Sequence, residues 1–399
     1  MEKKGWVKKK LGDCFSYIKN GANIKQDKAA SGIPITRIET LANGLFNRDR
    51  LGYADIFASE KYAQYILDTG DLLFSHINSK QYIGRTVLYT QQGQEVIIHG
   101  MNLLRLKVIT EILTPNFVYY YFKSPFVKEQ IASHRKDAVN QSSISITDLK
   151  RIVLFVPPLP EQEQIVAELD CLQGIIDKKK EQLQELDKLA QSIFYTMFGD
   201  PVENEKGWTQ SQLGKECIIS SSKRVFAKDF LDAGIPFYRG NEIAELSIKN
   251  NIKPTLFISK EHYDELKKAT GVPIIGDVLL PSICPDGKIW LVNTTAPFYF
   301  KDGRVLWIHV NKKVFNGVFI QYYLKNKFIL DFDKIASGTT FSELKLFILR
   351  ELTIPLPPLP LQQEFADKIT AIEQQKNRIA QSLQDTETLF QSRMDYYFG

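Results

Sequence analysis

The sequence has little cysteine, and its four cysteines, Cys14, Cys171, Cys217 and Cys284, are scattered over 399 residues. None forms a CxxC pair or a cluster with histidine, so the spacing predicts no metal site and no disulfide framework. The sequence also lacks an apolar run near the ~18 residues of a membrane span, and its first residues contain no apolar signal segment. It therefore predicts a cytoplasmic protein with no membrane contact.

Catalytic motifs are missing as well. There is no GxxxxGK[ST] loop for ATP, no Gly-x-Gly cofactor loop after a strand, and no (Asn/Asp)-Pro-Pro-(Tyr/Phe) motif of adenine methylation. None of the five histidines lies in a recognised nucleophile motif. We expect no catalytic residue and no bound cofactor in this chain, although inspection leaves a nuclease centre of scattered carboxylates open.

The bulk properties are those of a globular protein with a slightly basic surface. The chain is long enough for two or more domains, and 44% of its residues are apolar. Its 51 Lys and Arg against 46 Asp and Glu give a formal net charge of +5. This excess favours a polyanionic partner only weakly.

An internal repeat organises the chain. Short landmarks of the first half return in the same order in the second half, while most residues between them differ. The paired landmarks are Gly5-Trp6 with Gly207-Trp208, Gly70-Asp71 with Gly276-Asp277, 117–123 with 319–325, Pro157-Pro-Leu-Pro160 with Pro357-Pro-Leu-Pro360, and Phe198-Gly199 with Phe398-Gly399. The repeat predicts two domains of one architecture.

Each half ends in a long predicted helix. After Pro160 the residues to 198 include one glycine and no proline, and apolar residues recur at alternating steps of four and three, which is typical of a coiled-coil seam. Lys179 interrupts the first seam, and its counterpart in the second copy is Ile379. The predicted seam residues are Ile165, Leu169, Leu172, Ile176, Leu183, Leu186 and Ile193, then Phe365, Ile369, Ile372, Ile379, Leu383 and Phe390.

Such amphipathic helices need a partner in water, and the simplest partner for each is the other. The sequence thus predicts an α+β protein in which two mixed α/β domains are joined by two long antiparallel coiled-coil helices, with a pseudo-twofold internal repeat. The predicted boundaries are 1–156 for the first domain, 157–199 for the first helix, 200–354 for the second domain and 355–399 for the second helix.

The duplicated Pro-Pro-Leu-Pro block with its Glu/Gln pair, the helices closing in Phe-Gly, and the two Gly-Asp-(Leu/Val)-Leu elements resemble the specificity subunits of type I restriction-modification systems. The resemblance spans essentially the whole chain. One departure is Leu361, which stands where the first copy has Glu161 and predicts a weaker capping contact in the second helix.

The resemblance implies a non-catalytic subunit whose two target-recognition domains read an asymmetric, bipartite site in double-stranded DNA. It implies two modification subunits as partners, which carry S-adenosylmethionine, and in some systems restriction subunits, which use ATP and Mg²⁺. Two alternatives remain open: a self-contained DNA-modifying enzyme with tandem recognition domains, and a coiled-coil adaptor without a nucleic-acid ligand.

Candidate DNA contacts are polar or cationic side chains in loop-like stretches, because base edges are read by paired donors and acceptors and phosphates are bound by Arg or Lys. A solvated surface loop is the plainer interpretation of any one of them. In the first half the candidates are Arg37, His76, Asn78, Lys80, Gln81, Tyr82, Arg85, Gln141 and Ser142, and in the second half Lys223, Arg224, Arg239, Ser282, Lys288, Trp290, Thr339 and Thr340.

Overall fold

The structure is a computed structural model, and it describes residues 5–27, 30–139, 141–249, 252–336 and 342–399. The chain forms two compact units, one of Met1–Lys180 with Gln381–Gly399 and the other of Glu181–Ala380. Both long helices pass from one unit to the other. The candidates Thr339 and Thr340 lie outside the described residues.

The first unit contains small antiparallel sheets, three short helices and segments of the two long helices. Its elements are β1 (Val7–Lys10), β2 (Phe15–Asn20), β3 (Leu72–Phe74), β4 (Ile77–Asn78), β5 (Thr86–Leu88), β6 (Leu104–Val108), α1 (Pro115–Lys123), α2 (Pro125–His134), β7 (Lys136–Asp137), β8 (Ser142–Ser143), α3 (Ile146–Arg151), β9 (Val153–Val156) and the start of α4 (Leu159–Phe198). The main sheet has the order β2-β6-β3-β5, and β1-β9 and β4-β8-β7 form two smaller sheets.

The second unit repeats this plan. Its elements are β10 (Gln210–Gln212), α5 (Leu213–Glu216), β11 (Ile218–Ser220), β12 (Ile235–Tyr238), α6 (Gly240–Leu246), β13 (Phe257–Ile258), α7 (Lys260–Thr270), β14 (Val278–Pro281), β15 (Trp290–Leu291), β16 (Tyr299–Phe300), β17 (Val305–His309), α8 (Gly317–Ile335), α9 (Leu346–Glu351), β18 (Thr353–Pro355) and the start of α10 (Leu359–Phe398). Its main sheet has the order β11-β17-β14-β15, and β10 pairs with β18. The sheet β13-β12-β16 replaces isolated bridges around Ile35 and Ile98 in the first unit.

A buried glutamine attaches each mixed domain to the helix that follows it. Gln162 donates from Nε2 to the carbonyls of Ile112 (2.8 Å) and Pro157 (2.9 Å), and its Oε1 accepts from the amide of Thr114 (2.9 Å). Gln362 makes the equivalent three bonds to Val314, Pro357 and Asn316. The glutamine of the repeated proline block is therefore a structural residue, 0% exposed in both units.

The departure at Leu361 changes a neighbouring contact. In the first unit Trp6 donates from Nε1 to Glu161 Oε1 at 2.9 Å. Leucine offers no acceptor, and in the second unit the equivalent Trp208 donates to the carbonyl of Phe198 at 3.0 Å.

The long helices pair antiparallel inside each unit. In the first unit Glu168 of α4 binds Arg393 and Tyr397 of α10. Lys179, further along α4, donates to Ser382 and Thr386, which come earlier in α10. The two helices therefore run in opposite directions. In the second unit Lys376 pairs with Asp187, and Phe365 contacts Phe194 and Phe198. All thirteen predicted seam residues are buried or half-buried, and the predicted antiparallel pairing is confirmed.

The helix ends depart from the simple seam. Ile193 is only half-buried, whereas Phe194 and Phe198 are 0% and 3% exposed. At this end α4 packs against the mixed domain through Phe319 as well as against α10 through Phe365, and a second neighbour widens the buried face beyond a two-helix stripe. Phe398 similarly packs on Phe117 at 5.4 Å between ring centroids.

The fold class is confirmed: the α+β architecture, the two long helices and the internal repeat are all present. The repeated landmarks 117–123 and 319–325 lie in helices α1 and α8. The predicted domain boundaries stay predictions. Across the described ranges, no helix has the length and apolar character needed to cross a membrane.

Candidate nucleic-acid interface

Two segments that were predicted separately to contact DNA meet in the first unit. The strands β4, β8 and β7, which we call the recognition ribbon, place Asn78 opposite Ser142 and Ser142 opposite Asp137. Ser142 donates from Oγ to Asp137 Oδ1 at 2.7 Å, and Lys80 Nζ lies 3.3 Å from Asp137 Oδ2. The ribbon thus brings the stretch after Gly70-Asp71 together with the stretch before α3.

The outer side of this ribbon is polar and accessible. Lys80, Gln81 and Gln141 are exposed, and Tyr82 is 37% exposed. The guanidinium of Arg85 lies over the Tyr82 ring at 4.5 Å and donates one hydrogen bond to the carbonyl of Leu41. Because guanidinium and amide groups are the side chains that read base edges bidentately, this surface has the chemistry of a DNA contact.

Three other candidates of the first unit, which lie in the ribbon or next to it, are buried or half-buried. His76 is 7% exposed, its Nε2 accepts from Asn20 Nδ2 at 3.1 Å, and burial lowers its pKa. Within the described residues its Nδ1 has no hydrogen-bond partner. Asn78 bonds to Ser75 and to the amide of Ser79, and Ser142 is 3% exposed. These placements favour a structural role for His76, Asn78 and Ser142, while their contact with DNA stays a prediction.

The second unit has an equivalent junction. The amide of Leu344 donates to the carbonyl of Ser282 at 2.7 Å, as the amide of Ile144 does to His76 in the first unit. Lys288 is ion-paired with Asp286 at 2.7 Å. Trp290 is 3% exposed and packs on Phe298 in a hydrophobic cluster, so its ring supports the fold in this arrangement.

The remaining candidates lie at helix starts and on a loop. Arg37 and Arg239 precede helical turns whose third residue accepts their backbone amide, Thr40 in one unit and Glu242 in the other. Glu242 also binds the Arg239 guanidinium at 2.7 Å, which neutralises its charge. Lys223 and Arg224 are exposed and remain candidate backbone contacts.

The repeated Gly-Asp motif proves to be a turn with a buried aspartate, and it directly precedes an inner strand of the main sheet. Asp71 Oδ2 accepts from the amide of Asp68 at 2.7 Å and from Arg105 Nη2 at 2.5 Å. Burial raises the pKa of Asp71, while these two partners oppose the rise. Asp277 accepts from the amide of Ile274 at 3.0 Å and from Trp307 Nε1 at 2.9 Å. The motif is therefore a shared structural device with different partners in the two units.

Sequence reasoning missed one feature of the first unit, a basic cavity of about 390 Å³. Its cations are Arg85, Lys123, Lys128 and Arg135. The last three lie on or just after helices α1 and α2, where isolated lysines and arginines read as solvated helix faces. The sequence predicted Gln81 and Arg85 of this lining, but only convergence in space identifies the other three cations.

Comparison with known proteins decides the family. The sequence model of the type I restriction modification DNA specificity domain matches residues 3–188 and again residues 205–386. This chain belongs to that family. The double match coincides with the internal repeat, so each half of the chain corresponds to one specificity domain.

Relatives agree with this assignment. A putative type I restriction enzyme MjaX specificity subunit of Methanocaldococcus jannaschii is 32% identical over 393 residues, which cover 92% of this chain and 87% of the relative. The type I restriction enzyme EcoKI specificity subunit of Escherichia coli is 27% identical over 189 residues, which cover 46% of this chain and 40% of the relative.

The fold of the specificity family is found here as well. The crystal structure of a type I restriction-modification S subunit from M. genitalium superposes with a TM-score of 0.59 at 15% identity, covering 98% of this chain and 95% of that one. A chain from a structural study of assembly and conformational transition in the type I R-M system superposes with a TM-score of 0.57 at 18% identity, covering 100% and 98%.

Proposed function

We propose that this chain is the DNA specificity subunit of a type I restriction-modification complex, and that each unit reads one half of a bipartite, asymmetric site in double-stranded DNA. The observation that carries the proposal is one architecture used twice with different side chains. The segment that follows the buried turn exposes Lys80, Gln81 and Tyr82 in the first unit, whereas it exposes Ile283, Pro285 and Asp286 in the second. Unlike surfaces on one scaffold favour unlike half-sites.

The long helices supply the second part of the proposal. Helix α4 has 40 residues, which is a length of about 60 Å at 1.5 Å per residue. One turn of DNA is about 34–36 Å. We propose that the residue count of α4 and α10 sets the unspecified gap between the two half-sites.

The chemistry is assigned to partner subunits. We propose that two modification subunits bind S-adenosylmethionine, turn the target adenine out of the duplex and methylate it, and that restriction subunits, where the system has them, use ATP and Mg²⁺. The chain described here selects the site and holds those subunits, in the cytoplasm. This proposal makes it a non-catalytic subunit.

DNA binding is the first test. The chain, assembled with its modification subunits, is titrated into a labelled duplex from the host genome at several salt concentrations. Because Lys and Arg release counterions on binding phosphates, the affinity should fall steeply as salt rises. An adaptor without a nucleic-acid ligand would show no such dependence, and methylation by the chain alone would support the self-contained enzyme instead.

A domain exchange tests the division of labour. Residues 1–150 are replaced by those of another family member, and methylated adenines are mapped by long-read sequencing of the host genome. We expect one half-site to change and the other to persist. A change in both half-sites would contradict independent reading by the two units.

A helix insertion tests the spacing. Four residues, about one helical turn, are inserted within 176–190 of α4, with a matching insertion in α10. We expect the gap in the methylated site to change while both half-sites stay the same. Altered half-site sequences with an unchanged gap would contradict the proposed role of the helices.

A further inference from the structure

We propose that the basic cavity of the first unit binds a phosphate group, and that in the working complex this phosphate belongs to the DNA backbone beside the first half-site. The assignment of the phosphate to DNA rests on the proposed function. The inference that the cavity binds a phosphate group does not, because it follows from the residues that line the cavity.

The cavity gathers positive charge without a neutralising carboxylate in its lining. Arg85 immediately precedes β5, Lys123 ends α1, Lys128 lies on α2 and Arg135 follows α2. Across the described ranges only Arg135 among these four forms an ion pair, with Asp137. In the part of the chain that the structure describes, Arg85, Lys123 and Lys128 line the cavity without an ion pair; the Lys123 ammonium lies 3.7 Å from the Tyr119 ring centroid and the Arg85 guanidinium 4.5 Å from that of Tyr82.

One wall of the cavity removes water from those charges. Phe122 and Ile131 line it and are each 2% exposed. Burial, together with the charge of Lys128, lowers the pKa of Lys123 to about 8, although the charges of Asp177 and Asp170 oppose the change. A desolvated ammonium without an anion is unfavourable, and a bound phosphate would offset that cost by supplying oxygen acceptors and negative charge.

The position of the cavity connects it to base reading. Gln81 and Arg85 line it, and they belong to the same segment as Lys80 and Tyr82 at the exposed side of the recognition ribbon. Arg135 immediately precedes β7 of that ribbon. A phosphate held here would fix the register of the ribbon along a duplex, which is the general role of backbone contacts in DNA recognition.

The part of the second unit that the structure describes does not repeat the arrangement. Gly287 corresponds to Gly84, and the residue after it, Lys288, is already paired with Asp286. A Cβ on Gly287 would lie 2.8 Å from Lys325 Cγ and 2.9 Å from the Lys325 carbonyl oxygen, whereas one on Gly84 would lie 2.9 Å from the Ile131 side chain. The backbone of α8 therefore approaches Gly287 where only a side chain of α2 approaches Gly84. Exposed apolar residues Ile329 and Leu330 follow on α8. We therefore assign the phosphate site to the first unit alone.

The principal experiment measures duplex binding by Lys123→Gln and Lys128→Gln as a function of salt, in the chain assembled with its modification subunits. The matched control is Lys178→Gln, which removes the same charge from an exposed position of the same unit. Losing one phosphate contact should reduce the slope of log K against log[salt] by about 0.9, and the affinity by roughly eightfold at 0.1 M salt. The control should leave both within error, and thermal melts should show that every variant is folded.

A second arm identifies the source of the phosphate. Inorganic phosphate and adenosine monophosphate are titrated into the full chain while the lysine ammonium signals are followed by NMR. We expect phosphate to shift the Lys123 signal in the wild type and not in Lys128→Gln. Phosphate binding combined with wild-type salt slopes in both cavity variants would overturn DNA as the source and favour a free phosphate compound.

The two proposals fail in different ways. Unchanged slopes in both variants and no response to phosphate would overturn the cavity proposal while leaving salt-dependent DNA binding by the wild type intact. A wild-type complex without salt-dependent binding would instead overturn the proposed function, and the phosphate titration would then decide the cavity alone.

Discussion

Replacing Gln162 by leucine tests whether the repeated proline block attaches each mixed domain to its helix. The side chain is 0% exposed and makes three hydrogen bonds within 2.9 Å. Leucine has a similar size but leaves two carbonyls and one amide without their partner.

The magnitude follows from those three groups. Each buried polar group left without a hydrogen bond lowers the free energy of unfolding by about 1–3 kcal/mol. Burial of the more apolar leucine side chain offsets about 1.5 kcal/mol of this loss at most. We expect the first unit to lose about 3 kcal/mol of stability. Since each 1.4 kcal/mol is a factor of ten, the amide of Thr114, which donates to Gln162, should exchange about 100-fold faster.

Hydrogen exchange with mass spectrometry measures this effect in the peptide that contains Thr114, and urea unfolding measures the loss of stability. Gln164→Leu is the matched control, because Gln164 lies on the exposed side of the same helical turn. Gln362→Leu should produce the same loss in the peptide of Asn316. If Gln162→Leu exchanged within threefold of the wild type, the glutamine would not be the attachment inferred here.

Three further outcomes are expected. Asp71→Ala should destabilise the first unit by about 3–5 kcal/mol, because it leaves the buried Arg105 without its main partner; Asp68→Ala, at a side chain 64% exposed, should cost much less in the same urea titration. Lys179→Leu should leave the melting temperature unchanged or higher, since it makes an apolar seam continuous; a clear drop would show that the hydrogen bonds of Lys179 to Ser382 and Thr386 stabilise the pair more than a leucine does. Arg393→Gln should make stability fall less steeply as the pH is lowered. Arg393 and Tyr397 lower the pKa of Glu168 below its ordinary 4.5, so the stabilisation by Glu168 is present above that value and is lost as the pH falls through the lower folded-state pKa. An unchanged pH dependence would show that the Glu168–Arg393 pair does not contribute to stability.

The long helices were predictable because their pattern is local. A period of 3.5 residues, a proline at the start and a Phe-Gly end are all visible in the sequence, and the repeat fixes how the halves correspond. The buried ends were less predictable. Phe194 and Phe198 are buried by a domain that packs on them from a distant part of the sequence.

The candidate interface was predictable only as stretches of chain. Polar composition marked the segments around Lys80 and Gln141, and β4 and β8 join them. It did not separate exposed Gln81 from buried His76 and Ser142, because the burial of a side chain here depends on which distant segments pack over it and not on local polarity. Of the basic cavity only Gln81 and Arg85 were predicted, because tertiary packing brings Lys123, Lys128 and Arg135 to them.

The first unit needs residues 381–399, whereas the second is contained within 181–380. During synthesis the second unit can therefore complete its core earlier. The core of the first unit, which contains Phe117 and Leu169, is complete only after Met394 and Phe398 have been synthesised. This reverses the usual tendency of amino-terminal domains to fold first. A ribosome that stalls near residue 380 would release a chain whose later half is finished and whose earlier half still exposes its aromatic core.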